Sequence, residues 1–221
     1  MLRSMVGRKI IMAATGFSLV CFLVVHLLVN SSIYYGPGGI NTFAETLNGP
    51  GAFIWLLRIA LLLLVSLHIF FGIQLTLENR EAKPDVYAVT RMLRSTFAAR
   101  NMIWTGLLIG SFLFYHLLHF TSQVTHPEIS AGRHLDVMGR PDVFRMVVLG
   151  FRNPSVSFIY LLALSSLALH LGHGIQSMFQ TAGLNNERIE PHMTRAGIIA
   201  SFVLFLGFIS IPVAVIAGIV R

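Results

Sequence analysis

Four histidines hold most of the chemistry this sequence has to offer. His26, His68, His116 and His170 each sit deep inside a different long apolar run. An imidazole presents a lone pair to a metal from one nitrogen and a proton to a second partner from the other. An ionisable residue at membrane depth marks function by default. The bland alternative is a neutral histidine bonded across to a neighbouring helix. One such residue leaves the two readings level, whereas one in each of four runs favours a shared site. Two further histidines, His119 and His173, follow three positions after His116 and His170. That step keeps them on the same helical face one turn along. They are alternative ligands, partners of a cofactor's acidic groups or of a quinone, or bonds to a neighbouring helix. His126, His134 and His192 fall in loops and read as solvated surface.

The runs that position these residues are membrane spans. The chain has 221 residues, of which 55% are hydrophobic and only 11% charged, with mean hydropathy +0.74. A soluble domain of this size carries about 25% charged residues. Five runs reach the roughly 20 apolar residues needed to cross a bilayer: 10–33, 52–77, 101–124, 155–180 and 196–220. The expected fold is therefore an all-α integral membrane bundle of five transmembrane helices, forming one membrane domain over 1–221. The first run follows Arg3, Arg8 and Lys9, but it is too long for a signal-peptide core and is read as a retained span. Pro212 should kink the fifth run, which neighbouring helices can tolerate.

The net charge of +7 does not indicate nucleic acid, because the basic residues lie in short loops where membrane topology accounts for them. With the N-terminus in the cytoplasm, the inner segments hold Arg3, Arg8, Lys9, Arg80, Lys83, Arg91, Arg94, Arg100, Arg188 and Arg195. The outer side holds Arg58, Arg133, Arg140, Arg145, Arg152 and Arg221. The excess inside supports that orientation. The inner segment 80–100 mixes this charge with Glu78, Glu81 and Asp85 nearby, a pattern that suits a soluble partner or anionic lipid. The loop 125–154 is the longest outer segment, with a short surface helix expected around 142–149.

Depth sorts the histidines. At about 1.5 Å per residue, His26 lies ~24 Å and His116 ~22 Å from the inner helix ends, while His68 lies ~14 Å and His170 ~15 Å from them. The four thus form two level pairs, and two imidazoles at one height are what a six-coordinate haem iron requires. Zinc would want Cys, Asp or Glu alongside. Cys21, the single cysteine, lies more than a turn from His26 and reads as a packing residue. A lone cysteine also excludes C-x-x-C-H attachment, so the haem expected is a b type.

The glycines repeat with the histidines. Thr15-Gly16 precedes His26 as Thr105-Gly106 precedes His116, and His68-x-x-x-Gly72 matches His170-x-x-x-Gly174. By the helical rise, Gly16, Gly72, Gly106 and Gly174 share a layer ~7–9 Å from the inner ends. They either admit the edge of a flat macrocycle or mark ordinary close packing of membrane helices. The repeated spacing also suits an internal duplication.

At these residues the sequence resembles the single-polypeptide, two-haem cytochrome b anchor of succinate:quinone oxidoreductases, that is, succinate dehydrogenase and fumarate reductase. The resemblance runs along nearly the whole chain. It rests on Arg8-Lys9-Ile10-Ile11-Met12 leading into Ala14-Thr15-Gly16, on Val24-Val25-His26-Leu27, on Leu67-His68-Ile69-Phe70-Phe71-Gly72, on Phe114-Tyr115-His116-Leu117-Leu118-His119 and on Leu169-His170-Leu171-Gly172-His173-Gly174. It implies two b haems, with His68 and His170 holding the proximal one and His26 and His116 the distal one. It implies a flavoprotein subunit and an iron–sulfur subunit as partners, and a membrane quinone, expected to be menaquinone, as substrate. It further implies a multi-pass protein of the inner (cytoplasmic) membrane of a prokaryote. Quinone chemistry is expected on the outer side, where Glu45 and Asn30 are the candidates; each also reads as a capping or solvated polar residue. Arg58, the only formal charge inside a span, either pairs with a haem propionate or snorkels to the headgroups. A di-haem anchor of another dehydrogenase, such as a hydrogenase or formate dehydrogenase, would keep the same bundle and ligands. A haem-free transporter or scaffold is disfavoured by the lack of charge in four of the five spans.

Overall fold

Helices start in this chain where a side chain or a proline relieves the unpaired amides of a first turn. In the computed structural model, which describes residues 4–49, 51–81, 100–184, 186 and 188–221, Ser4 caps helix α1 (Met5–Ser31), its hydroxyl accepting from the Gly7 amide at 3.1 Å. That cap starts the helix ahead of its apolar run. Beyond α1, a 3-10 turn over Ser32–Tyr35 ends at Gly36, whose φ of 77° suits glycine. Helix α2 (Pro37–Asn48) then opens on proline, whose fixed φ suits a first turn. A side chain at Gly39 would run into the Ser32 carbonyl, which keeps that turn tight. Helix α3 is Ala52–Glu81 and α4 is Met102–His116. Helix α4 widens into a π turn over Leu117–Thr121, where Ser122 N–H donates to the Leu117 carbonyl at 2.7 Å. Helices α5 (Val143–Arg152), α6 (Pro154–Thr181) and α7 (Glu190–Ile216) complete the order among the described residues.

Among the described residues the protein is all-helical, and five segments are long and apolar enough to cross a membrane: Met5–Tyr35, Ala52–Glu81, Met102–Thr121, Pro154–Thr181 and Glu190–Ile216. The edges differ from the hydropathy-based spans for physical reasons. Helix α7 starts early because Glu190 and Pro191 suit a helix N-terminus. It stops at Ile216, short of 220, because Gly218 turns left-handed at φ 71° and folds the Ile219 and Val220 amides back onto the Ala214 carbonyl. The third span stops near Thr121, short of 124, where Gln123 takes a positive φ of 55°. Pro212 lies fully buried inside the continuous α7. Lys83, Asp85, Arg91 and Arg94 of the expected inner patch, and Arg3, lie outside the described residues.

Helices α1, α3, α4 and α6 form a ring in which α1 touches α3 and α6, and α4 touches α3 and α6. The diagonals are therefore α1 with α4 and α3 with α6. Helix α7 packs outside, mainly on α6 and also on α1. Small residues bring it close: a Cβ at Gly197 would sit 3.3 Å from the Gly172 carbonyl, and one at Gly207 would meet the Leu27 side chain.

The end of the bundle remote from the N-terminus carries a cap made of α2, two short 3-10 turns (Pro127–Ile129 and Ala131–Arg133) and α5. The expected surface helix near 142–149 is a docked element, since Phe144, Met146, Val147, Val148 and Phe151 of α5 are all buried. They pack in one cluster with Ile33, Ile40, Tyr160 and Ile211. Helix α2 was not apparent in the sequence. Its anchor is Asn41, 1% exposed, which donates to Asp136 Oδ2 and Asp142 Oδ1, both at 3.2 Å, and accepts from the Phe144 amide at 2.9 Å. Asp136 in turn takes Arg140 Nη2 at 2.7 Å and Nε at 2.9 Å.

The Arg140 guanidinium, aided by the Arg140 and Met138 amides and by Asn41, holds the Asp136 carboxyl well below the usual carboxylate range against the opposing effect of burial. A depressed folded-state value stabilises the fold above the unfolded value of about 3.9 and is lost as pH falls through the folded value. Asp136→Asn should therefore lower the Tm of the solubilised protein at neutral pH. Its deficit should persist down to about pH 4 and shrink only in stronger acid. Thermal melts of both proteins across that range check this; a deficit already gone at mildly acid pH would assign the effect to other groups.

Candidate functional site: two facing histidine pairs

The four span histidines meet across the diagonals of the ring. His26 on α1 and His116 on α4 have ring centroids 5.9 Å apart, with planes at 87°. His68 on α3 and His170 on α6 lie 6.4 Å apart at 69°. Two imidazoles bound on opposite sides of a metal, each with a metal–nitrogen bond of about 2 Å, have centroids about 6 Å apart. The donor set at each level is two imidazoles. Two imidazoles are the pair that a bis-imidazole haem takes, whereas a protein-only zinc site takes three or four ligands.

The helices prepare each ring of the second pair in the same way. Thr15 Oγ1 lies 3.2 Å from His68 Nδ1, and Thr105 Oγ1 lies 3.1 Å from His170 Nδ1. Each threonine hydroxyl has one proton, and helical carbonyls claim it: Ile11 and Met12 at 2.9 and 3.1 Å for Thr15, Asn101 and Met102 at 3.1 Å each for Thr105. The oxygen must then accept from the imidazole, so Nδ1 carries the hydrogen and Nε2 keeps the lone pair. That is the tautomer a metal ligand needs, fixed by an outer-shell partner.

The glycines explain how close the rings come. A Cβ at Gly16 would lie 3.3 Å from His68 Cε1, and one at Gly106 would lie 3.2 Å from His170 Cε1. The space over these two glycines is taken by the imidazoles themselves. Gly72 faces the Met12 methyl at 3.3 Å and Gly174 the Met102 methyl at 4.0 Å. Met12-x-x-Thr15-Gly16 and Met102-x-x-Thr105-Gly106 are thus one structural device used twice. The sequence showed the Thr-Gly spacing, while the tie from each threonine to a histidine on another helix needed the fold.

The first pair is set differently. Tyr160 on α6 puts its hydroxyl 3.2 Å from His116 Nδ1 and 3.1 Å from His119 Nδ1. Sequence reasoning missed this tyrosine, which stands inside an apolar run and has no counterpart in the repeat. His119 is 2% exposed, lies in the π turn, and its Nε2 has no hydrogen-bond partner among the described residues. Its ring stacks on Phe120 at 4.1 Å and meets His126 edge-on at 5.6 Å. His126 is thereby more than a surface residue, and its Nδ1 also reaches Glu128 at 3.2 Å. His173 is half-buried and its Nδ1 likewise lacks a partner among the described residues.

The remaining candidates lie elsewhere. Asn30 turns its amide back to the His26 carbonyl at 2.7 Å, closing its own helix. Glu45 is exposed in the cap, 3.7 Å from Arg140. Arg58 donates to the Leu47 carbonyl at 3.0 Å and to Asn48 Oδ1 at 3.2 Å, and its guanidinium lies over Trp55. It closes the C-terminus of α2 and does not converge with the histidines. Cys21 is exposed on α1. A cleft of about 500 Å³ at the cap ends of α1 and α2, lined by Leu28, Ser31, Tyr34, Tyr35 and Phe43 among others, includes neither Asn30 nor Glu45.

Comparison with protein-family models, with curated proteins and with solved structures finds no match. Fold and site nonetheless define a class: a five-span helical membrane protein with two diagonal histidine pairs at two depths.

Thr15→Val or Thr105→Val would keep the side-chain shape and take the hydroxyl acceptor away from one imidazole N–H. Each should cost about 1 kcal/mol of stability, while the serine variants should retain most of it. Thermal melts of the solubilised variants check this, and valine variants as stable as the wild type would rule the hydroxyls out as partners.

Proposed function

We propose that this chain is the membrane-anchor cytochrome b subunit of a succinate:quinone oxidoreductase. In this reading His68 and His170 hold a proximal haem b, and His26 and His116 hold a distal one. The observation that carries it is the diagonal facing of two histidine pairs at two depths, each about as far apart as two imidazoles on one iron. Bound there, the haems would supply one-electron carriers between an iron–sulfur subunit and a membrane quinone, with menaquinone as the expected one. The partner assignment to a flavoprotein and an iron–sulfur subunit rests on the sequence resemblance, as does the prokaryotic inner membrane, while the cytoplasmic N-terminus rests on the excess of Lys and Arg in the inner segments.

The chain's own residues have definable tasks in this scheme. Thr15 and Thr105 orient the proximal imidazoles and keep Nε2 free of hydrogen. Gly16 and Gly106 leave those rings room. The apolar walls of the spans exclude water, so that imidazoles stay neutral ligands. Arg8 and Glu78, paired at 2.8 Å with Gln74 on the same carboxylate, tie α1 to α3 at the N-terminal end. The cap closes the other end, beside the cleft at α1 and α2, which is the place proposed for the quinone. Its size falls within the usual range for a small-molecule site.

The test is optical. Protein purified from membranes should show, on reduction, the spectrum of b haems at two per chain. His68→Ala or His170→Ala should remove one haem, and His26→Ala or His116→Ala the other. Flavoprotein and iron–sulfur subunits should co-purify. A haem-free protein would refute the cytochrome reading, and haem with a different dehydrogenase partner would refute the assignment to succinate:quinone chemistry.

A further inference from the structure

We propose that Tyr160 is a positioning residue that assigns the ligand role at the cap-end level to His116 and withholds it from His119. The inference rests on the two-haem reading above. It starts from a count of hydrogens. The Tyr160 hydroxyl stands between His116 Nδ1 at 3.2 Å and His119 Nδ1 at 3.1 Å, and it has one proton to give. It can donate to one imidazole only and must accept from the other. His116 faces His26 across the bundle. For His116 to present Nε2 as a lone pair, its Nδ1 must carry hydrogen and donate to Tyr160. Tyr160 then donates to His119 Nδ1, and His119 takes the opposite tautomer, with hydrogen on Nε2.

The surroundings of His119 give it no partner across the bundle. Its Nε2 points at α5, where a Cβ on Gly150 would stand 3.4 Å away, and has no hydrogen-bond partner among the described residues; the imidazole that meets it edge-on at 5.6 Å is His126 of the loop, not His26. Its ring makes no edge or stacking contact with His26, whereas His116 does. Tyr160 is held from all sides: it is 5% exposed and meets Phe112, Phe120 and Phe151 edge-on at 4.9, 5.6 and 5.0 Å. A fixed phenol between two imidazoles leaves one arrangement of hydrogens compatible with His116 as ligand.

This makes the two levels chemically unequal. At the other level the acceptor is a threonine whose proton goes to a backbone carbonyl. At the cap end it is a phenol polarised by donating to a further imidazole, and such chains strengthen each bond. Donation from Nδ1 makes an imidazole a more basic ligand, which favours the oxidised iron. Loss of the phenol oxygen should therefore shift the cap-end haem toward reduction and leave the other unmoved.

The experiment is a redox titration of the full-length protein purified with its haems, comparing wild type with Tyr160→Phe and His119→Leu. The levels are assigned beforehand from the His26→Ala and His68→Ala variants. In Tyr160→Phe the cap-end haem should become about tenfold easier to reduce, about 59 mV for a one-electron couple, with the second haem unchanged. His119→Leu should retain both haems and shift the cap-end one in the same direction by less. Two unmoved potentials in Tyr160→Phe, or equal movement of both, would overturn the proposal. So would loss of the cap-end haem in His119→Leu with retention in His116→Leu, since His119 would then be the ligand. The last comparison holds even where Tyr160→Phe assembles poorly. A wild type without haem would instead refute the cytochrome reading on which the inference stands.

Discussion

An N–H group inside a bilayer has no water to turn to, and in this bundle that constraint falls hardest on the imidazole Nδ1. A histidine that offers Nε2 to a metal must place its other hydrogen on an acceptor, and the acceptor has to come from a neighbouring helix. Thr15 and Thr105 meet that demand for His68 and His170. They can do so only because each sits beside a glycine that lets the partner helix approach. The helix neighbours follow from this. Helix α1 packs on α3 and α4 on α6, which are the contacts that join each threonine to its histidine. The diagonals left over are the ones across which the histidines face. Satisfying one hydrogen bond per helix pair thus fixes the geometry of the facing histidine pairs.

The cap solves a different problem. Its backbone is short, turn-rich and partly polar, and it must close over the end of an apolar bundle without leaving polar groups stranded. Asn41 does this with one side chain, using its amide hydrogens on Asp136 and Asp142 and its oxygen on the start of α5. Asp142 also accepts from the Arg145 amide at 3.0 Å, as an N-cap should. The apolar face of α5 then fills the gap between cap and spans, so the level that holds His116 and His119 is roofed by packed side chains.

Hydropathy and spacing made the spans and the four histidines legible, because a run of twenty apolar residues has few alternatives and a rise of 1.5 Å per residue converts position to depth. What stayed hidden depends on contacts between distant parts of the chain. Helix α2 contains Gly38, Gly39, Asn41 and Thr42, which read as loop; it is helical because Asn41 is anchored 95 and 101 positions away and Arg58 closes its last turn. Arg58 offered two readings from sequence, propionate partner or snorkelling cation, and the fold gives it a third. The π turn at Leu117–Thr121 leaves no composition signal. Tyr160 was hidden for a simpler reason: within an apolar run an aromatic residue counts as apolar, and its hydroxyl becomes informative only when two imidazoles are found beside it.

The two halves of the bundle repeat one another, and the places where they cease to do so are informative. Helices α3 and α6 begin the same distance ahead of His68 and His170, and Arg58 and Tyr160 occupy matching positions in them. A duplicated scaffold would give the two histidines of each level the same environment, as Thr15 and Thr105 do for His68 and His170. Here the copy on α3 carries an arginine that leaves the bundle axis for α2, while the copy on α6 carries a tyrosine that stays within it. Similarly, α4 has His119 where α1, in register at its Thr-Gly and histidine, has Val29. Both departures fall at the cap-end level of the second half, and they touch each other through one hydroxyl. Symmetry of the scaffold therefore fixes where the histidines stand, and the broken symmetry at Tyr160 and His119 sets His116 apart from His26 within the cap-end level.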